Sequence, residues 1–190
     1  MGNTLYCLCC NEEVPFHFVE RYSQRETVCT FCGFVLDTHE PVKTAVPSEE
    51  GITLIADDSK YTRRIIEDIV RNRKISSGVL HFENGIGLVT EYSKLLAEKK
   101  KIDLAIVDLN MPVMDGLTAA RTMRALETQN NAARAPIVFF SGKKADEDLR
   151  KHMQNLEPAN YVNKGSDPDP DKLASRVEYL LDYIKGCKTH

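Results

Sequence analysis

Acidic residues follow two apolar stretches of the sequence in a pattern suited to binding a divalent cation. Asp57 and Asp58 come directly after residues 52–56, and Asp108 comes directly after residues 104–107. If both stretches are parallel strands, their carboxyl ends meet at one edge of a sheet and bring the carboxylates together. Adjacent carboxylates repel one another, and a hard cation such as Mg²⁺ allows all three to remain ionised. The sequence therefore predicts a Mg²⁺ site.

Two further polar side chains follow later apolar stretches. Ser141 comes after residues 136–140, and Lys164 comes shortly after residues 160–162. A carboxylate beside a metal ion can act as a nucleophile, and a lysine and a hydroxyl can stabilise the charge on a transferring phosphoryl group. A single Asp at a strand end is more often a helix cap. That explanation does not account for five such residues after four different stretches, so the pattern favours phosphoryl transfer.

The elements that must position these side chains alternate between short apolar stretches and amphipathic ones. Such alternation predicts an α/β fold, a doubly wound five-stranded parallel sheet with helices on both faces. The last predicted helix carries an apolar stripe with helical periodicity. The predicted strands are 52–56, 79–82, 104–107, 136–140 and 160–162, and the predicted helices are 61–73, 88–100, 117–126, 146–155 and 173–184.

Four of the six cysteines form two C-x-x-C pairs separated by 18 residues, which predicts a tetrahedral four-thiolate Zn²⁺ site. Asn11 and Gly33 each follow the second cysteine of a pair and tolerate the positive φ of a tight metal-binding turn. Their positions favour Cys10 over Cys9 as a ligand. An iron site of the rubredoxin type and a redox dithiol are the alternatives. The predicted ligands are Cys7, Cys10, Cys29 and Cys32.

Composition divides the chain into a Cys-rich segment over residues 1–37, which resembles a zinc ribbon, a Pro-containing linker over 38–51 and a larger domain over 52–190. Residues 1–48 hold three basic and six acidic residues, whereas 49–190 hold 22 of each. A basic patch of the kind that binds nucleic acid is not expected, so protein is the expected partner of the ribbon. No apolar stretch is long enough to cross a membrane and no secretory signal is recognised, which together with the paired cysteines predicts a cytoplasmic protein.

The segment 52–186 resembles the receiver domain of two-component response regulators, including those of chemotaxis. Residues 103–116 read DLAIVDLNMPVMDG, which is similar to the phosphoacceptor motif of that family. The resemblance implies a flavodoxin-like fold in which Asp108 accepts the phosphoryl group. It also implies that the Asn110 backbone carbonyl completes the Mg²⁺ ligands and that Ser141 and Tyr161 form the switch. The implied site residues are Asp57, Asp58, Asp108, Asn110, Ser141, Tyr161 and Lys164.

The resemblance further implies a signalling protein rather than an enzyme, one that also hydrolyses its own phosphoaspartate. Its phosphodonor would be a sensor histidine kinase or a phosphotransfer protein, and its output an interaction with an unidentified downstream protein. Only four residues follow Gly186, so no separate C-terminal output domain is expected. Gly165 stands where the family usually has a proline after the lysine. Two alternatives are a receiver scaffold that does not use phosphorylation and a regulator whose zinc ribbon binds nucleic acid.

Overall fold

The computed structural model describes residues 4–7, 10, 12–21, 24–30, 35–38, 51–142 and 147–164. Most of the predicted linker, Cys32 and the last predicted helix lie outside these residues. The described part of the chain contains two β-sheets, one antiparallel and one parallel. Each sheet has its own set of buried side chains.

The N-terminal sheet is antiparallel and has the strand order β1-β2-β3-β4. Its buried side chains are Cys7, Val14, Val28 and Cys29, joined by the polar Glu26 and Thr27. On the exposed side of β2, Phe18 lies under the guanidinium of Arg25, 4.0 Å from the ring centroid. Among the described residues, two of these buried apolar side chains are cysteines. The strands are β1 Thr4–Cys7, β2 Glu12–Arg21, β3 Gln24–Cys29 and β4 Val35–Thr38.

The second sheet is parallel and has the strand order β6-β5-β7-β8-β9. This is the order of flavodoxin-like sheets, and it confirms the predicted five-stranded architecture. Strands β7 and β8 are almost entirely buried, which explains why they read as continuous apolar stretches rather than alternating ones. The strands are β5 Ile52–Ala56, β6 Gly78–Phe82, β7 Ile102–Val107, β8 Ile137–Ser141 and β9 Ala159–Asn163.

Side-chain caps define where the first three helices begin. Ser59, Asn84 and Asp115 each accept a hydrogen bond from the backbone N–H three residues further on, which satisfies a donor that the first helical turn leaves without a partner. The second helix begins and ends three residues earlier than the sequence predicted. Its first turn contains Gly85 and Gly87, and glycine in a sequence pattern predicts a loop rather than a helix. The helices are α1 Lys60–Asn72, α2 Gly85–Ala97, α3 Gly116–Gln129 and α4 Glu147–Gln154.

A buried ion pair on α3 connects that helix to two loops. The Arg124 guanidinium donates to both carboxylate oxygens of Glu127 at 2.8 and 2.7 Å, and also to the carbonyls of Ala135, Leu156 and Pro158. Glu127 accepts further hydrogen bonds from the Tyr92 hydroxyl and the Ala135 N–H. Burial and the adjacent Glu127 carboxylate raise the pKa of Tyr92 far above its usual value. Every N–H of the guanidinium therefore has an acceptor, which makes this charge tolerable in the core.

We expect Glu127→Gln to lower the free energy of unfolding by about 3–5 kcal/mol, because it leaves the Arg124 charge buried without its counter-ion. Urea unfolding monitored by circular dichroism measures the change. Glu67→Gln is a suitable comparison, since Glu67 forms a more exposed ion pair with Arg71 on α1. That variant should lose no more than about 1 kcal/mol. Equal losses in the two variants would contradict a special contribution from the buried pair.

Candidate functional site

Two adjacent strands bring the acidic residues to one edge of the parallel sheet. Ala56 at the end of β5 is in register with Val107 at the end of β7, so the next residue of each strand, Asp57 and Asp108, lies at the same height. The Asp108 N–H donates to the Ala56 carbonyl at 2.8 Å, which extends the strand pairing to the carboxylate itself. Carboxylate oxygens of Asp57, Asp58 and Asp108 all lie within 4.8 Å of one another.

Local backbone hydrogen bonds orient two of the three carboxylates. The Ser59 N–H donates to Asp57 Oδ1 at 2.9 Å, and the Asn110 N–H donates to Asp108 Oδ1 at 3.1 Å. Asp57 is 1% exposed and Asp108 is 5% exposed, whereas Asp58 is open to solvent. Two buried carboxylates so close to a third repel strongly when all are ionised. An all-oxygen, anionic donor set of this kind fits Mg²⁺, which binds proteins through a small number of carboxylates.

Gly116 allows α3 to begin directly against the backbone of Asp108. A side chain at this position would overlap the Asp108 carbonyl oxygen and would lie 2.8 Å from its carbonyl carbon. The Gly116 N–H also donates to the Leu109 carbonyl at 3.0 Å. The lack of a side chain at Gly116 therefore lets α3 pack directly against the backbone of the residue that follows β7. Gly116 is the last residue of the motif that carried the family resemblance, but no role in the site was predicted for it.

The loop between β7 and α3 contains a strained residue. Val113 has a φ of 69°, a left-handed conformation that a β-branched residue rarely adopts, and the Met114 N–H donates to the Pro112 carbonyl across it at 2.7 Å. The Met114 carbonyl in turn accepts from the Gly85 N–H at 3.1 Å, which ties the loop to the start of α2. Val113 is 81% exposed, so packing of its own side chain does not explain the strain.

The later strands place the other predicted site residues close to one another. Ser141 is the last residue of β8 and is buried, and Tyr161 lies buried in β9. The Tyr161 hydroxyl donates to the Ser141 carbonyl at 3.4 Å, and the Lys164 N–H donates to the same carbonyl at 2.8 Å. Ser141, Tyr161 and Lys164 are therefore neighbours at the carboxyl end of β8. Gly165 lies outside the described residues.

A second cluster of potential ligands lies in the antiparallel sheet. The sulfur atoms of Cys7, Cys10 and Cys29 are all within 4.8 Å of one another, and those of Cys10 and Cys29 are 3.8 Å apart. Tetrahedral Zn²⁺ with Zn–S bonds of about 2.3 Å separates its sulfur ligands by about 3.8 Å, so this spacing fits a metal centre. The Cys10 N–H donates to the Cys7 sulfur at 3.4 Å. The fourth predicted ligand, Cys32, lies outside the described residues.

Comparison with known proteins agrees with the fold. The family model described as the response regulator receiver domain matches residues 53–178, about two thirds of the chain. The chain belongs to the response regulator receiver family. It is 31% identical over 90 residues to the transcriptional regulatory protein RprY of Bacteroides fragilis, a match that covers 47% of this chain and 35% of RprY. The matches span about a third or less of the length of the first curated relatives.

Solved receiver structures have the same fold at low sequence identity. The phosphorylated cyanobacterial phytochrome response regulator RcpA aligns with a TM-score of 0.59 and 20% identity, covering 75% of this chain and 98% of RcpA. The receiver domain of the histidine kinase CKI1 from Arabidopsis thaliana aligns with a TM-score of 0.56 and 20% identity, covering 68% of this chain and 89% of that domain. Among the residues described, no helix combines the length and the apolar character required to cross a membrane.

Proposed function

We propose that this response regulator accepts a phosphoryl group on Asp108 and signals through phosphorylation-dependent protein–protein interaction. The observation that carries the proposal is the convergence of Asp57, Asp58 and Asp108 within 4.8 Å at the end of two paired strands. Asp108 is the member of the cluster that follows the central strand β7, and it is the residue of the motif at 103–116 that the family resemblance implies as phosphoacceptor. A backbone hydrogen bond from Asn110 helps to orient its carboxylate, as the one from Ser59 does for Asp57.

The carboxylates of Asp57, Asp58 and Asp108 and the backbone carbonyl of Asn110 would hold Mg²⁺. When bound, the ion neutralises negative charge on the carboxylates and on an incoming phosphoryl group. The CKI1 receiver domain, which has the same fold, has been crystallised as a complex with Mg²⁺ and BeF₃⁻. Without a cation, the like charges of the cluster would repel both one another and a phosphorylated donor.

The phosphodonor in this proposal is a phosphohistidine of a sensor histidine kinase or a phosphotransfer protein. A carboxylate oxygen of Asp108 attacks the phosphorus atom, an O–P bond forms, and the N–P bond to the donor imidazole breaks. The side chain of Lys164 would pair with a phosphoryl oxygen and offset its charge. Water would later attack the phosphorus atom of the phosphoaspartate, break the O–P bond to Asp108 and release inorganic phosphate, which would restore the carboxylate and end the signal.

The residues at the end of β8 would convert phosphorylation into a change of surface. The Ser141 hydroxyl would donate to a phosphoryl oxygen, and Tyr161 would adjust its packing to the new position of Ser141. The hydrogen bond from the Tyr161 hydroxyl to the Ser141 carbonyl, at 3.4 Å, is long and therefore weak. Its rearrangement would cost little, which suits a switch read by a downstream protein.

The N-terminal segment is proposed to be a structural zinc ribbon over residues 1–37, joined by the linker 38–51 to a receiver over 52–190. Four thiolates would close the coordination sphere, which makes the ion structural rather than catalytic. Paired C-x-x-C motifs are typical of proteins from compartments that keep thiols reduced, which supports a cytoplasmic location.

Incubation with acetyl phosphate and Mg²⁺ tests the proposed phosphoacceptor function. We expect intact-mass spectrometry to detect one added phosphoryl group per chain, and we expect EDTA to prevent its addition. A chain that binds Mg²⁺ yet takes up no phosphoryl group would instead support the phosphorylation-independent scaffold. Rapid reduction with borohydride converts phosphoaspartate to homoserine and releases phosphate, so peptide mapping of the homoserine would locate the modified carboxylate.

A further inference from the structure

We propose that Arg63 is a positioning residue for the Mg²⁺-binding loop and that Glu83 is its counter-charge; the inference rests on the proposed Mg²⁺ site. Arg63 lies in the first turn of α1, and its side chain is only 9% exposed. It reaches back toward the end of β5, where the first two acidic residues of the cluster lie. No feature of the sequence distinguishes it from its neighbour Arg64, which is exposed.

The contacts of Arg63 are with backbone atoms of the acidic pair rather than with their carboxylates. Its Nη1 atom donates to the Asp57 carbonyl at 2.6 Å and to the Asp58 carbonyl at 3.3 Å. Two successive carbonyls that converge on one nitrogen fix the peptide planes of the loop. The Asp57 N–H is held at the same time by the Phe82 carbonyl at 3.1 Å. The backbone of Asp57 is thus fixed on both sides, and the Ser59 N–H holds its Oδ1 atom, so the carboxylate is directed toward Asp108.

The charge of Arg63 is balanced by the carboxylate of Glu83, the residue that directly follows β6. Its Nη2 atom forms an ion pair with Glu83 Oε1 at 2.9 Å. A bare guanidinium close to a cation site would oppose Mg²⁺ by Coulomb repulsion. The pair with Glu83 has no net charge, so Arg63 can hold the loop while adding little repulsion. Glu83 is 75% exposed, and solvent screening limits its own contribution.

Loop positioning and charge repulsion predict opposite effects of removing Arg63. If Arg63 holds the loop, Arg63→Gln weakens Mg²⁺ binding, since the carboxylates are no longer pre-organised. If its main effect is electrostatic, the same variant binds Mg²⁺ more tightly. Arg63→Lys further distinguishes loop positioning from charge repulsion. It keeps the positive charge but loses the planar guanidinium that bonds to two carbonyls and a carboxylate at once.

Mg²⁺ affinity is measured by competition against Mn²⁺ in electron paramagnetic resonance titrations of the full chain. We expect Arg63→Gln to raise the Kd for Mg²⁺ about tenfold and Arg63→Lys to raise it several-fold. Arg64→Gln removes the same charge from the adjacent exposed position and should stay within about twofold of the wild type. In the absence of metal, the Ser59 amide should exchange hydrogen faster in Arg63→Gln, because its acceptor Asp57 is less well held.

An unchanged or lower Kd in both Arg63 variants, with a wild type that binds Mg²⁺, would overturn the positioning role and leave the proposed function intact. A wild type that does not bind Mg²⁺ would overturn the proposed site and this inference together. Thermal unfolding of each variant distinguishes loss of fold from loss of affinity. If Arg63→Gln does not fold, the Kd of Arg63→Lys for Mg²⁺, compared with that of the wild type, decides whether Arg63 positions the loop.

Discussion

Asp108→Asn is expected to lower the rate of phosphorylation by acetyl phosphate more than about a thousandfold, because an amide oxygen is neutral and a poor nucleophile. The substitution changes little else. Asparagine has nearly the same shape, and its side-chain oxygen can still accept the hydrogen bond that Asn110 donates to Asp108. Incorporation of the phosphoryl group, followed over time by intact-mass spectrometry, measures the effect.

The stability of the variant shows whether a loss of activity reflects chemistry or unfolding. In the absence of Mg²⁺, Asp108→Asn removes one of three clustered negative charges, so the free energy of unfolding should not fall and should rise slightly. Asp68→Asn, at an exposed position of α1, is a control for the loss of a carboxylate and should be phosphorylated normally. If Asp108→Asn is phosphorylated at the wild-type rate, then Asp57, Asp58 or another residue is the acceptor.

Three strands of the parallel sheet, β5, β7 and β8, could be predicted from the sequence because they are buried almost throughout and therefore read as continuous apolar stretches. The predicted bounds of β5 match the structure, and the other four strands differ by at most two residues at an end. The start of α2 was missed. Gly85 reads as a loop residue, but it lies where a side chain would come within 2.8 Å of the Met114 side chain. The need for glycine at this position comes from a contact with a loop 29 positions further along the chain, and such a contact leaves no helical periodicity in the sequence.

The same distinction applies to the candidate site. The convergence of Asp57, Asp58 and Asp108 follows from a rule about strand ends, so it could be anticipated. The contacts of Arg63 could not, because the side chain bonds to carbonyls, and any residue type supplies a carbonyl. Arg124 is a similar case, since its partners Leu156 and Pro158 are recognised through their backbone oxygens. Sequence patterns thus predict the cluster of carboxylates but not the side chains that bond to the backbone around it.

Removal of metal is expected to unfold the antiparallel sheet while the parallel sheet stays folded. The described part of the antiparallel sheet buries only a few apolar side chains, two of which are the thiols of Cys7 and Cys29. Domains of fewer than about 40 residues rarely have enough core to fold without metal or disulfides, and a structural Zn²⁺ contributes about 10 kcal/mol or more. Hydrogen exchange of β2 and β3, with and without a zinc-selective chelator in excess Mg²⁺, measures the loss of protection.

The choice of ligands is tested by a matched pair of cysteine variants. Cys10→Ser should abolish equimolar zinc, measured by plasma mass spectrometry, and should remove the exchange protection of β2 and β3. Cys9→Ser should retain both, because Cys10 is the residue whose sulfur lies 3.8 Å from that of Cys29. Phosphorylation of Asp108 should continue in both variants if the receiver folds by itself. Copurified iron would favour the rubredoxin-type alternative, whereas a sheet that stays protected without metal would rule out a structural role for the thiolates.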